Sequence, residues 1–141
     1  MSCVTIHRMV PFTTEALFNI AADIENYPTF LPNCIATRIA KRDGDLWLVD
    51  NVFRWGPVPL RFQTQAQLDR PKAITIQSIN APMMKMVIKW RFDRQDDQTE
   101  VTLELDLKLP GPDFLVADTV QREAQAIETA FLQHAENVIG S

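Results

Sequence analysis

Alternation of apolar and polar residues dominates the middle of the chain. Apolar side chains occupy most alternate positions in the runs 58–68, 86–92 and 101–109, with polar or charged residues between them. This period of two indicates strands with one buried and one solvated face, as in an antiparallel sheet. Turn residues separate further strand-like runs near 3–10, 34–42, 45–55 and 72–80, and Asp43-Gly44 is typical of a hairpin. The pattern predicts a strand near 3–10 and a later meander.

Helical patterns occur after the first strand and at the end of the chain. Thr13 as an N-cap, with Phe12 packing on Leu17, predicts a short helix to about residue 22, and a second short helical turn follows. A long helix is predicted from Pro112-Asp113 to Gly140. Its apolar positions recur at spacings of three or four and comprise Ala117, Val120, Ala124, Ile127, Phe131, Ala135 and Val138.

The relative sizes of these elements favour a curved sheet. Seven strands about 4.8 Å apart form a sheet about 34 Å wide, whereas one helix is only about 10–12 Å wide. The sheet must therefore curl around the long helix, with the short helices closing one end. Such a grip leaves either an apolar cavity above the helix alanines or a solid core in which large side chains fill that space. Those large side chains are Trp47, Phe62, Trp90 and Phe92.

Residues 22–34, which we call the elbow, form a stiff apolar corner between the helices and the next strand. Pro28 and Pro32 fix their own backbone and push the residues before them towards extended conformations. The elbow therefore presents Tyr27, Phe30 and Leu31 from a rigid segment. This arrangement is expected at the rim of an apolar cavity, and packing of the corner as ordinary core is the alternative.

Composition and charge narrow the class of protein. The 141 residues are 46% hydrophobic, carry a net charge of −4 and contain two cysteines. These values predict one globular domain spanning 1–141, located in a reducing cytoplasm, and argue against DNA binding and a disulfide framework. No metal-ligand spacing is found, and no segment resembles a signal peptide or a transmembrane helix.

The order of elements resembles the START-like helix-grip superfamily over essentially the whole chain. Within it, the elbow is similar to the motif of one branch, in the residues Asp23-Ile24-Glu25-Asn26-Tyr27-Pro28, Phe30-Leu31-Pro32 and Cys34. That branch contains coenzyme Q-binding proteins and RatA-type ribosome-association proteins, which are grouped with polyketide cyclase/dehydrase-like sequences. The branch usually has tryptophan before the cysteine, where this chain has Asn33.

The resemblance implies an α+β helix-grip fold, with a curved seven-stranded antiparallel sheet around the C-terminal helix. It also implies an apolar cavity that binds ubiquinone or a related isoprenoid lipid as a carrier or chaperone in respiration, without a cofactor and with possible peripheral membrane contact. A RatA-type protein that binds the ribosome and blocks subunit association is the first alternative, and a small polyketide cyclase is the second. The expected ligand-binding residues are Tyr27, Phe30, Leu31, Trp47, Phe62, Met86, Ile88, Trp90, Ala117, Val120, Ala124 and Phe131.

Candidate catalytic residues are sparse. His7 and His134 lack a partner at a motif spacing, and Cys34 is expected to be a small buried side chain. Asp50 is either a cavity carboxylate or the partner of a nearby arginine. We therefore expect a binding protein without a catalytic centre, because a cyclase needs at least two polar groups that converge on its pocket.

Two surface features remain open to alternative interpretations. The residues 82–86, with methionines at 83, 84 and 86, form either a membrane-contacting hairpin tip or the start of an inward strand face. Lys85, Lys89, Arg91 and Arg94 form a basic row that suits ribosome binding or pairing with the next strand. If paired residue numbers sum to 193, Lys89 lies opposite Glu104, and cross-strand pairing is the favoured interpretation.

Overall fold

The computed structural model describes residues 2–55, 58–81 and 84–140, so the predicted turn at 56–57 and the hairpin tip at 82–83 lie outside the described residues. The strands are β1 Ser2–Val10, β2 Cys34–Asp43, β3 Leu46–Trp55, β4 Val58–Asp69, β5 Ala73–Asn80, β6 Lys85–Gln95 and β7 Gln98–Lys108. The helices are α1 Thr14–Ala22, the 3-10 helix Ile24–Thr29 and α2 Asp113–Ile139. The predicted elements are all present.

The seven strands form one antiparallel sheet in the order β1-β7-β6-β5-β4-β3-β2. Strands β2 to β7 follow one another as the predicted meander, and β1 pairs with the last of them. Lys89 lies opposite Glu104, which confirms the predicted register. Within the described ranges, however, no ion pair joins these two side chains. The register therefore places opposite charges near each other without direct contact.

The short helices begin where capping chemistry predicts. The Thr13 hydroxyl accepts a hydrogen bond from the Ala16 amide at 3.2 Å, and α1 starts at Thr14, directly after this cap. The 3-10 helix follows directly and packs on β2, while α1 packs on β5 and β6. These two helices therefore cover parts of the inner face that α2 leaves open.

The sheet wraps around α2. On one side the helix packs on β1 and β7, and Arg8 of β1 binds Glu128 of the helix. On the other side, Phe30 of the elbow, just before β2, stacks on His134 of the same helix at 4.0 Å between ring centroids. β1 and β2 are the opposite edges of the sheet. Contact of one helix with β1 and with the elbow that leads into β2 therefore requires the strands to curl around the helix. The predicted helix-grip fold is confirmed.

The inward stripe of α2 differs from the predicted one at both ends. Ala117 and Val138 are exposed, Val138 by 57%, so their predicted inward positions are wrong. The buried positions are Val116, Val120, Ala124, Glu128, Phe131 and Ala135. The buried positions from Val116 to Glu128 are spaced by four, so the buried stripe turns slowly around the helix axis. In the first turn the inward residue is therefore Val116 rather than Ala117. A purely apolar pattern also missed Glu128, because an acidic residue is expected on the wet face.

Stacked aromatic rings fill the space above the small residues of α2. Trp90 stacks on Phe131 with 4.2 Å between ring centroids, and the Phe92 ring lies 6.2 Å from the Phe131 ring. All three side chains are at most 3% exposed. This half of the interior follows the solid-core alternative, and any cavity must lie beyond it, towards the elbow.

Candidate functional site

A small apolar cavity lies between the elbow, the sheet and α2. Its volume is about 40 Å³, room for on the order of one water molecule. Among the described residues, no side chain that is charged at neutral pH lines it. The lining residues are Ile24, Tyr27, Leu31, Pro32, Asn51, Phe53, Thr64, Ile76, Met86, Ile88, Trp90 and Ile127.

A hydrogen-bonded pair, Asn51 and Thr64, supplies two polar side chains to this lining. Both are buried, and they lie on neighbouring strands β3 and β4. The Asn51 amide nitrogen donates to the Thr64 hydroxyl oxygen at 3.0 Å and to the Phe62 carbonyl at 3.3 Å. In the part of the chain that the structure describes, no hydrogen bond reaches the Asn51 side-chain oxygen. The pair can therefore offer one acceptor and one hydroxyl donor to a ligand.

The titratable groups nearest the cavity stay neutral at physiological pH. The Tyr27 hydroxyl donates to the Ala21 carbonyl, and complete burial raises the pKa of Tyr27 well above its ordinary value. Burial also raises the pKa of the Cys34 thiol to about 11, so Cys34 remains a thiol rather than a thiolate. The interpretation of Cys34 as a small buried side chain is therefore confirmed by its burial.

The elbow separates the cavity from an open groove on the surface. The groove has a volume of about 620 Å³ and runs between elbow residues 28–32 and the exposed side of α2 at 125–133. Leu31 and Pro32 belong to both linings, whereas Phe30 contacts only the groove. A displacement of this short segment would join the groove to the cavity.

Two contacts hold the elbow against α2. The rings of Phe30 and His134 are parallel, at an interplanar angle of 1°. Asn33 lies near Glu123 of α2, and burial raises the pKa of the Glu123 carboxyl despite the opposing effects of Arg122 and Asn33. Asn33 has a φ of 63°, a left-handed conformation that asparagine adopts more readily than bulky residues do. Asn33, at the position where the branch usually has tryptophan, therefore suits the backbone conformation of the elbow.

Replacing Glu123 with glutamine is expected to stabilise the protein at pH 7 and to have little effect at pH 4. The folded-state pKa is raised, so the carboxyl contributes stability at low pH and loses it as the pH rises through that pKa. Glutamine does not ionise and avoids that loss. Urea unfolding of both proteins at the two pH values measures the difference. Glu136→Gln, on the exposed side of the same helix, is the control, and an equal effect of Glu123→Gln at both pH values would contradict the prediction.

The structure brings only part of the predicted ligand-binding set together. Tyr27, Leu31, Met86, Ile88 and Trp90 line the cavity, and burial of Met84 and Met86 supports the inward-face interpretation of the methionine run. The others lie elsewhere: Phe30 in the groove, Val120, Ala124 and Phe131 in the solid core, Trp47 beside the Gly44 carbonyl, Phe62 against Phe53, and Ala117 in solvent.

Several residues of the cavity lining were not among the predicted ligand-binding residues, although the sequence pattern indicated that two of them, Asn51 and Thr64, point inward. Asn51 has the same parity along β3 as Trp47 and Val49, and Thr64 the same parity along β4 as Phe62, so alternation places both inward. A polar residue at an inward position of an otherwise apolar strand was the signal. Ile24, Pro32 and Ile76 offered no comparable one.

Asp50 lies outside the cavity, in a depression of about 500 Å³ on the outer face of the sheet. Arg38 donates to its carboxylate at 2.8 Å and Gln63 at 2.9 Å, and the Arg38 bond is the main cause of its lowered pKa. Of the two alternatives, pairing with a nearby arginine is confirmed. His7 contacts the Thr102 hydroxyl on β7, far from the cavity lining.

Two further properties concern only the described residues. They contain no group of three or more acidic, histidine or cysteine side chains placed to hold a metal ion. None of the described helices is both long and apolar enough to cross a bilayer.

The chain is similar to known proteins both in sequence and in structure. The chain is 27% identical over 137 residues to the ribosome association toxin RatA of Pseudomonas aeruginosa, covering 94% of each chain. A START superfamily protein from Mycobacterium smegmatis is 18% identical, with a TM-score of 0.83 over 96% of this chain and 98% of that one. The Zhui aromatase/cyclase of Streptomyces sp. R1128 is 17% identical, with a TM-score of 0.74 over 95% and 93%. These two structural likenesses show the fold.

A family model described as "Polyketide cyclase / dehydrase and lipid transport" matches residues 10–132. The match includes α1, the elbow, the six-strand meander and most of α2. The chain therefore belongs to the polyketide cyclase/dehydrase and lipid transport family.

Proposed function

We propose that the protein binds an apolar small molecule with a polar head, and that ubiquinone or a related isoprenoid lipid is the best candidate. The protein would act as a carrier or chaperone for this ligand in respiration and perform no chemistry on it. The supporting observation is an apolar cavity whose lining is interrupted by the Asn51–Thr64 pair. Each Å² of apolar ligand surface removed from water contributes about 25 cal/mol before ordering costs.

A quinone head matches the hydrogen-bonding capacity of this pair. The Thr64 hydroxyl can donate to a quinone carbonyl, and the Asn51 side-chain oxygen can accept from the hydroxyl of the reduced quinol. Trp90 and Tyr27 lie in the same lining and provide flat apolar surfaces for the ring. Both redox forms would therefore find a partner without a charged residue.

Binding requires the elbow to open. Pockets for small molecules usually enclose about 300–1,000 Å³, far more than the cavity of about 40 Å³ in this conformation. Leu31 and Pro32 are the shared wall between the cavity and the groove of about 620 Å³. Outward displacement of these residues would supply the missing volume, and an isoprenoid tail would then lie in the groove.

The proposal predicts how cavity substitutions change quinone affinity. Asn51→Leu with Thr64→Val removes both polar groups at similar side-chain size and should weaken binding of a short-chain ubiquinone about tenfold. Ile127→Trp should abolish binding by filling the cavity. Quenching of tryptophan fluorescence during titration measures the affinity, and isothermal calorimetry is used for Ile127→Trp, which adds a fluorophore. The control is Ile79→Leu, at an exposed position, and unchanged affinity in both cavity variants would refute the proposed site.

A cyclase activity is less well supported than binding. A cyclase needs converging acid and base groups, and the described cavity lining offers only an amide, a hydroxyl and the neutral Tyr27. The likeness to an aromatase/cyclase concerns the fold and does not supply such groups.

Ribosome association is the second candidate function, because a relative with that name covers 94% of this chain. Lys89 and Arg91 are half-buried on the outer face of β6, and neither forms an ion pair within the described residues. If they contact ribosomal RNA, reversing both to glutamate should abolish co-sedimentation with ribosomes, and added salt should weaken it in the unmodified protein. Equal sedimentation of the reversed variant would remove this candidate.

A further inference from the structure

Exposed apolar side chains concentrate at one end of the sheet. This end contains the starts of β2 and β4, the ends of β5 and β7 and the first turn of α2, and we call it the apolar end. Its exposed large hydrophobic residues are Ile35 (42%), Val58 (53%), Leu60 (36%), Ile79 (49%), Phe114 (73%) and Leu115 (53%). Only Met9 and Val138, among the described residues, are comparably exposed elsewhere.

Basic residues without ion-pair partners border the same end. Lys85 and Lys108 are directly opposite each other where β6 meets β7, an arrangement in which like charges repel. Arg54 and Arg61 occupy the neighbouring ends of β3 and β4 and are exposed. None of these cations takes part in an ion pair among the described residues.

The acidic residues at this end are fewer. Asp106 lies on β7, two residues before Lys108, Asp113 begins α2, and Asp118 further along the helix is paired with Arg122. The apolar end is therefore locally basic, although the whole chain has a net charge of −4. A local charge opposite to the net charge favours one orientation of the protein in front of an anionic partner.

We propose that the apolar end docks on the surface of an anionic phospholipid bilayer. Phe114 and Leu115 would enter the boundary between headgroups and acyl chains, while the lysines and arginines contact the headgroup phosphates. An RNA partner would account for the cations and could stack a base on Phe114, but it would leave Leu115 and the other exposed aliphatic side chains of the apolar end in water. A second copy of this chain would bring the unpaired cations of both copies together, and their repulsion opposes such a dimer.

The position of this end also suits delivery of a ligand from the membrane. Two residues of the cavity lining, Phe53 and Met86, adjoin the apolar end. Phe53 is the cross-strand partner of Leu60, and Met86 directly follows Lys85. The docking surface is thus continuous with one wall of the cavity. The inference goes beyond the proposed function, since vesicle binding is measured without any cavity ligand.

Co-sedimentation of the protein with phospholipid vesicles tests the inference. Vesicles of phosphatidylcholine containing phosphatidylglycerol are compared with vesicles of phosphatidylcholine alone. The key variant is Phe114→Asp with Leu115→Asp. The matched control is Met9→Asp with Val138→Asp, which introduces the same two charges at exposed apolar residues away from the apolar end. A third variant, Lys85→Glu with Lys108→Glu, reverses the opposed lysines.

The expected result is binding to the anionic vesicles that weakens as salt rises. Removing the two apolar side chains should reduce the partition coefficient by about tenfold or more, and reversing the lysines by about fivefold or more for each charge. The control should bind like the unmodified protein, and thermal melting should show that every variant is folded. Equal partitioning of the apolar variant and its control, or equal binding to neutral vesicles, would overturn the proposal. So would absence of vesicle binding together with RNA binding that depends on the same lysines.

Discussion

Replacing Phe131 with alanine is expected to lower the free energy of unfolding by about 3–5 kcal/mol. The side chain is 1% exposed and stacks on Trp90, so its removal loses both buried apolar surface and a ring contact. Neighbouring rings cannot collapse fully into the space, because Trp90 and Phe92 lie side by side on β6, with 6.4 Å between their ring centroids, and the strand holds both in place. Urea unfolding measures the change.

Phe114→Ala is the matched control for this prediction. It makes the same chemical change on the same helix, but at a side chain that is 73% exposed, and should alter stability by less than about 0.5 kcal/mol. Similar losses in the two variants would show that the stacked rings do not form the solid half of the interior.

Replacing Arg8 with alanine is expected to destabilise the protein by about 2 kcal/mol. Both nitrogens of the Arg8 fork donate to Glu128, at 3.1 and 3.2 Å, and the Glu128 side chain is only 4% exposed. Without Arg8, a carboxylate remains buried beside β1 with no partner. The loss should be smaller than for a fully buried pair, because the Arg8 side chain is 59% exposed.

A double-mutant cycle separates the ion pair from simple loss of packing. Arg8→Ala combined with Glu128→Leu removes the stranded charge and should recover much of the stability lost in Arg8→Ala alone. Arg38→Ala serves for comparison, since its pair with Asp50 is exposed and should contribute less to stability than the pair of Arg8 with Glu128. Additive effects of the Arg8 and Glu128 substitutions would contradict the assigned role of the pair.

Local patterns predicted the architecture because each depends on few residues. Alternation along β6 and β7 was sufficient to place Lys89 opposite Glu104, since inward residues must face the same side. The Thr13 cap fixed the start of α1 through one side-chain hydrogen bond. The curved sheet followed from the relative widths of strands and helix.

The site was harder to predict because it depends on contacts between distant residues. Glu128 is buried only because Arg8, 120 positions earlier, binds it, and no pattern along α2 reveals that partner. Whether the rings of Trp90 and Phe131 fill the interior depends on side-chain packing rather than on periodicity. The rigid elbow was sufficient to predict a cavity beside it. Periodicity was not sufficient to select its lining, and Trp47, Phe62 and Ala117 were assigned to the cavity although they lie elsewhere.

The most direct test of ligand binding is native mass spectrometry of protein purified from its own source, followed by extraction and identification of bound lipid. We expect a co-purifying quinone or isoprenoid lipid that is lost in the Leu31→Asp variant, because Leu31 lies between the groove and the cavity. Ala40→Asp, at an exposed position of β2 outside the linings of the groove and the cavity, should retain the lipid. An empty protein that also fails to take up added ubiquinone would contradict the proposed function.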